Sequence, residues 1–186
     1  MLRYPRQVLD NKLKCIRFVV FASGGVIFNQ FEWEGLTDNG RTIRPRRRSH
    51  VDGQGISFLR AIGLQVALAT SADSAVTSLV ERWNSLPSCR SGAWLPVSII
   101  SPFGLEAWAV RERVLLAECA FMGAEFAHWE MLSIAGFRAA AGDAAPEVKR
   151  LCDWVAIRPG GAGAVREFAD YILRVRGIDP FSLATS

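Results

Sequence analysis

Cys15-Ile16-Arg17-Phe18-Val19-Val20-Phe21-Ala22-Ser23-Gly24-Gly25 is a run of β-branched and aromatic residues that ends on two glycines. A run of that length and make-up reads as a strand buried on both faces, the kind found in parallel sheets. Downstream the pattern alternates strand with helix. Gln65–Ser71 predicts the next strand, and Asp73 is placed to cap a helix reaching about Leu86. Trp94–Ile100 reads as a strand, Gly104–Ala117 as a helix, and Glu118–Gly123, Phe137–Gly142 and Trp154–Ile157 as short strands. Helices over Ala127–Ala135, Ala145–Cys152 and Ala162–Arg176 separate or follow them. Strands alternating with helices argue for an α/β fold with a mostly parallel sheet covered on both faces. Between the first two strands, Val26–Gly35 and Arg41–Val51 flank an Asn39-Gly40 pair, a strong turn signal, so a β-hairpin arm is expected over about 26–51. Gly55–Gly63 reads as a short helix stopped by glycine. With no internal repeat and no linker, residues 1–186 are expected to form one domain.

Half of the 186 residues are hydrophobic and 22% are charged, enough for a core and too few charges for disorder. No run of eighteen apolar residues occurs, so no membrane span is expected. Arg17 and the Gly24-Gly25 pair interrupt the apolar stretch from Cys15 to Phe28, which excludes a signal-peptide reading. Cys15, Cys89, Cys119 and Cys152 form no close pair. Cys15 and Cys119 lie in apolar runs and are expected to be buried thiols in a reducing cytoplasm. The net charge is +4, almost all of the positive charge being arginine. Arg41, Arg44, Arg46, Arg47 and Arg48 form its one dense cluster. Such a cluster can attract phosphate, but no stacking aromatics are interleaved with it, which argues against nucleic acid. A solvated hairpin arm or an intersubunit contact accounts for it more simply.

In an open α/β sheet, ligands bind beyond the carboxyl ends of the strands. The loops there read Ala22-Ser23-Gly24-Gly25, Thr70-Ser71-Ala72-Asp73, Ser101-Pro102-Phe103-Gly104 and Gly123-Ala124-Glu125. The first offers flexible backbone whose N–H groups can cradle an anion, although a tight turn without a ligand explains a Gly-Gly pair equally simply.

Several of these segments together resemble the 3-deoxy-D-manno-octulosonate 8-phosphate phosphatase family, a compact branch of the haloacid dehalogenase superfamily. The likeness runs from about Cys15 to Arg176. Ala22-Ser23-Gly24-Gly25-Val26 lies where the family has D-x-D-G-V, and Val51-Asp52-Gly53-Gln54-Gly55-Ile56 is similar to its R-D-G-x-G-I. Thr70-Ser71-Ala72-Asp73-Ser74 lies where it has T-G-R-x-S, and Asp143 to Lys149 resembles its D-A-x-P-E-V-K. The most specific match is Arg158-Pro159-Gly160-Gly161-Ala162-Gly163-Ala164-Val165-Arg166-Glu167, similar to R-P-G-G-x-G-A-V-R-E. The resemblance implies a three-layer Rossmann-like fold with a hairpin arm and no large cap domain.

What the resemblance implies for chemistry turns on departures. The family's first aspartate attacks phosphorus and its second is the general acid and base; those positions are Ala22 and Gly24. Its Mg²⁺ loop, G-D-D-x-x-D, reads Gly123-Ala124-Glu125-Phe126-Ala127-His128, with Ala124 and His128 in place of acids. Its phosphate-binding lysine has no counterpart, since no lysine occurs between Lys14 and Lys149. No catalytic residue and no cofactor are therefore expected, and His50 and His128 are expected to be structural or solvent-facing. A replacement chemistry on His50, His128, Glu125 or Asp73 is the lesser alternative. Candidate ligand contacts are Ser23, Gly25, Thr70, Ser71 and Arg46, with a phosphosugar or other anion as the ligand; Thr70 serves equally as a strand-end cap. Family members resemble tetramers whose hairpin arms and tails meet, and Phe28, Phe31 and Trp33 on the arm call for a covering surface. A homo-oligomer, a tetramer by resemblance, is expected. The same branch resembles the C-terminal domain of animal CMP-sialic acid synthetases, where it serves assembly. The expected function is a non-catalytic oligomeric scaffold or regulator set in surface-sugar or nucleotide-sugar synthesis. The alternatives are a sugar-phosphate hydrolase with a rebuilt site and a phosphosugar sensor.

Overall fold

A computed structural model describes residues 5–31, 37–39, 41–42, 46–71 and 73–183. In chain order it contains α1 (Arg6–Cys15), β1 (Phe18–Ala22), β2 (Thr37–Asp38), β3 (Arg41–Thr42), α2 (His50–Ala61), β4 (Gln65–Ala69), α3 (Ser74–Asn84) and α4 (Pro87–Arg90). There follow β5 (Ser98–Ile100), α5 (Leu105–Glu112), β6 (Cys119–Gly123), α6 (Trp129–Ile134), β7 (Phe137–Ala140), α7 (Pro146–Leu151), β8 (Trp154–Val155), α8 (Ala164–Val175) and α9 (Pro180–Leu183). Six strands form one sheet in the order β5-β4-β1-β6-β7-β8, every neighbouring pair parallel. The fold is α/β and Rossmann-like, as the alternation predicts.

The first strand explains this order. All five residues of β1 are buried, because β4 pairs with one edge and β6 with the other, while helices cover both faces. On one of those faces α8 presents Phe168. Its ring stacks on Phe137 and Trp154 at 5.7 and 5.2 Å and meets Phe21 edge-on. Helix α2 lies beside α8 so closely that a Cβ on Gly55 would stand 2.9 Å from the Arg166 Cα. The α8 N-cap is Gly163, which has no side chain to offer. Asp52 of α2 supplies the missing acceptor, taking the N–H of Gly163 at 3.1 Å and of Arg166 at 3.0 Å. The two sequence motifs around Asp52 and Arg158–Glu167 are thus halves of one joint.

Three expectations are corrected here. Among the described residues the hairpin pairs β2 with β3, and the ends of its expected span, residues 26–28 and 50–51, do not belong to its arms. Residues 23–27 form a tight turn in which Val26 and Ile27 enter the core, Phe28 is buried, and α2 begins at His50, well before Gly55. Apolar burial takes Val26, Ile27 and Phe28 out of the expected arm. Cys15 is exposed at the end of α1, a helix the strand reading overlooked. Cys119 and Cys152 are buried, and burial pushes their thiols up to about 11 and about 12. Trp33, Arg44 and Ala72 lie outside the described residues.

Candidate functional site

Parallel strands direct their carboxyl ends to one edge, so the loops after β1, β4, β5 and β6 meet there. They enclose a cleft of about 290 Å³. Ser23, Thr70, Ser71 and His128 supply its polar walls, and Ala69, Pro102, Phe103 and Ala127 its apolar ones. Three of the five sequence candidates, Ser23, Thr70 and Ser71, therefore come together. Gly25 sits one turn deeper at φ +70, where a Cβ would meet that of Ala124 at 2.7 Å, so the loops after β1 and β6 touch through it. Arg46 is held elsewhere. Its guanidinium pairs with Asp73 and lies 4.5 Å over the Phe28 ring.

Asp73 itself caps α3, accepting the N–H groups of Ala75 and Val76 at 2.9 and 3.3 Å. Burial pushes its carboxyl up, but Arg46 and the two N–H groups outweigh this and hold it below the ordinary value. Arg48 lies over Trp83, and neither it nor Arg46 is among the residues lining the cleft. His50 is exposed at the start of α2. Ala22, the last residue of β1, is fully buried, and Gly24 adds no side chain. Beside them Glu125 reaches back: its Oε1 is 3.7 Å from where a Cβ on Gly24 would stand.

His128 has a defined job. Its Nδ1 accepts the N–H groups of Ala124 and Glu125, each at 3.1 Å, and its ring meets Phe121 edge-on. Nδ1 is therefore the unprotonated nitrogen and Nε2 carries the hydrogen. Burial lowers the pKa, with the Glu125 carboxylate opposing. A histidine so arranged is a hydrogen-bond donor towards the cleft, not a general base. Protonation would destroy the acceptor that closes the loop. A histidine lowered on folding contributes stability that is complete above its ordinary 6.5 and is lost as pH falls through the folded value. His128→Asn keeps an acceptor and is expected to fold normally without that pH dependence. His128→Leu should cost about 1–2 kcal/mol at pH 7.5. Urea denaturation at pH 7.5 and 5 reads both, and equal pH slopes for wild type and His128→Asn would contradict the assignment.

No protein-family model and no curated protein matches the sequence. Solved structures do match. A haloacid dehalogenase superfamily subfamily III A hydrolase from Legionella pneumophila superimposes with TM-score 0.78 over 96% of this chain and 92% of its own, at 24% identity. The 3-deoxy-D-manno-octulosonate 8-phosphate phosphatase of Moraxella catarrhalis, solved with magnesium, phosphate and the sugar acid, gives 0.78 over 98% and 100% at 19% identity. The cobalt-bound phosphatase of Haemophilus influenzae gives 0.72 over 89% and 92% at 23%.

The chain has the haloacid dehalogenase fold.

Two of these haloacid dehalogenase neighbours were solved with a metal, which overturns the expectation that this chain takes no cofactor because its metal ligands are gone. In this chain the described donors at the same edge include the Glu125 carboxylate, the hydroxyls of Ser23, Thr70 and Ser71, the Asp73 carboxylate held by Arg46, the Asp143 carboxylate held by the Gly160 N–H, and a histidine whose Nδ1 is already engaged. Among the described residues no three His, Cys, Asp or Glu side chains gather as a metal group. Magnesium takes hard oxygen ligands, several of them usually waters and one or two of them carboxylates, and Glu125 is a carboxylate at this edge that could serve as one.

The sequence reading overlooked Phe103 and Ala127 as walls of the cleft. Their signal was positional: both lie in loops at the carboxyl ends of strands, and Phe103 is an exposed aromatic at such a place. Among the described residues no helix is long and apolar enough to cross a membrane.

Proposed function

We propose that this haloacid dehalogenase-fold chain binds a small molecule at the cleft without aspartyl-phosphate turnover, and acts as a homo-oligomeric regulator or scaffold. The observation that carries the reading is the end of β1. Ala22 has no nucleophilic atom and is sealed from solvent, and Gly24 has no group to move a proton. Loss of one member of a catalytic set costs on the order of 10⁴–10⁶ in rate. His128, engaged through Nδ1, does not replace the missing base. Purified protein is expected to release no phosphate from 4-nitrophenyl phosphate or octulosonate 8-phosphate, with Mg²⁺ or Co²⁺ present. Metal-dependent release abolished by Glu125→Ala would establish the second reading instead, a sugar-phosphate hydrolase with a rebuilt site. That alternative is favoured by the metals in the neighbouring structures and by the Glu125 carboxylate still in place.

Assembly is supported by apolar side chains without cover. Phe31, just before the hairpin, is 75% exposed, and the stacked pair Phe126 and Trp129 stands open at the cleft rim. Phe28, buried in the core, contributes nothing to such a surface. Light scattering at micromolar concentration is expected to give several chain masses, a tetramer on the reading above. Phe31→Ser is expected to reduce that mass without unfolding the chain. A monomeric wild type would remove the scaffold from the proposal and leave ligand binding.

A further inference from the structure

We infer that the cleft selects an uncharged, hydroxyl-bearing ring compound and discriminates against phosphate esters. This deepens the proposed function and rests on its reading of the cleft as a binding site. It departs from the phosphorylated ligand that the sequence resemblance implies.

None of the described residues lining the cleft carries a formal charge at neutral pH. A phosphate ester entering it would leave water without a counter-charge, and desolvating an unpaired anion is costly. Arg46 cannot supply that charge while it is paired with Asp73 and lying over Phe28. A fixed charge beside the loop after β1 is negative: the Glu125 carboxylate, 3.7 Å from the Cβ position of Gly24.

What the walls do offer suits a neutral polyol. The hydroxyls of Ser23, Thr70 and Ser71 have no hydrogen-bond partner among the described residues and can each donate and accept. With Nδ1 occupied, His128 presents Nε2–H, a neutral donor that no acceptor among the described residues takes. In the same lining, Phe103 is 63% exposed and Pro102 adds further apolar surface. An aromatic face with a few convergent polar groups fixes a ring that is apolar on its flat side and hydroxylated at its edge. The volume of about 290 Å³ admits one such ring.

The test uses two probes that share an aryl group, 4-nitrophenyl β-D-glucoside and 4-nitrophenyl phosphate, titrated calorimetrically into the full chain. The glucoside is expected to bind at least tenfold more tightly. Phe103→Ala and Ser71→Ala, both at exposed positions, are expected to weaken it by about three- to tenfold, the scale of a single contact. Tighter or equal binding of the phosphate overturns the inference, as does no detectable binding of the glucoside at millimolar concentration. Release of nitrophenolate from the phosphate is read separately. It would sink the non-catalytic reading while leaving the preference between the probes to be decided by their affinities.

Discussion

Asp153→Ala is expected to lower stability by about 3–5 kcal/mol, the cost of breaking a buried ion pair from one side. The Asp153 side chain is fully buried. Its carboxylate takes the Arg138 guanidinium through Nε at 3.1 Å and Nη2 at 2.8 Å, and the Arg138 backbone N–H at 3.0 Å. Lys12 of α1 stands 3.9 Å away. One carboxylate therefore joins β7, the approach to β8 and the first helix. Removing it takes two hydrogen bonds from a largely buried guanidinium and the acceptor from a backbone N–H. For a chain of this length the melting temperature should fall by about 6–20 °C. Asp153→Asn keeps an acceptor for the backbone N–H and should cost less. The double variant Asp153→Leu with Arg138→Met removes both charges and should recover much of the loss. A loss below about 1 kcal/mol for Asp153→Ala would mean that the pair is open to solvent.

Gly160→Ala is the second large effect, about 3 kcal/mol, at the upper end of overpacking. A Cβ at Gly160 would lie 1.9 Å from the carbonyl oxygen of Gly25, so backbone has to move. Neither side can give easily. The Gly160 N–H is held by Asp143 Oδ1 at 2.9 Å, and the Gly161 N–H by the Val26 carbonyl at 2.8 Å. Gly161 is itself at φ +64 and 2.5 Å, by the same measure, from the Asn29 nitrogen. Calorimetry should show a fall of about 6–12 °C for Gly160→Ala. Ala162→Val, one step past the pair and exposed, should stay within about 0.5 kcal/mol of wild type. Equal effects at 160 and 162 would refute the close approach.

These glycines mark where sequence reasoning reached and where it stopped. The alternation of buried strands and amphipathic helices was readable because burial leaves a periodic trace, and β1, β4, β6 and the Asp73 cap lie close to where it put them. The Arg158–Glu167 segment was legible as a motif but not as a contact. It packs on the first loop of its own chain, and Asp52 accepts the N–H groups of its Gly163 and Arg166. Pairings such as Asp153 with Arg138 leave no local pattern, since either residue alone reads as surface charge. The hairpin turn was readable, with Asn39 at φ 50 between β2 and β3, but the start of its first arm was not, because Val26, Ile27 and Phe28 lie in the core. At the cleft, the loops were found from topology, while the tautomer of His128 and the engagement of Arg46 depend on geometry that no spacing encodes.

The position of β1 in the sheet bears on how the chain acquires its structure during synthesis. This strand leaves the ribosome early, yet one of its two partners, β6, and the helix that carries Phe168 emerge far later. Tyr171 closes on Asp10 across 161 positions, and Arg166 on Asp52 across 114. Until those late segments arrive, an apolar strand with an unpaired edge must be kept from other nascent chains. Contacts of such long span slow folding. Nascent chains arrested before α8 should therefore stay protease-sensitive throughout the sheet and engage holding chaperones, and protection should appear in one step once that helix clears the exit tunnel.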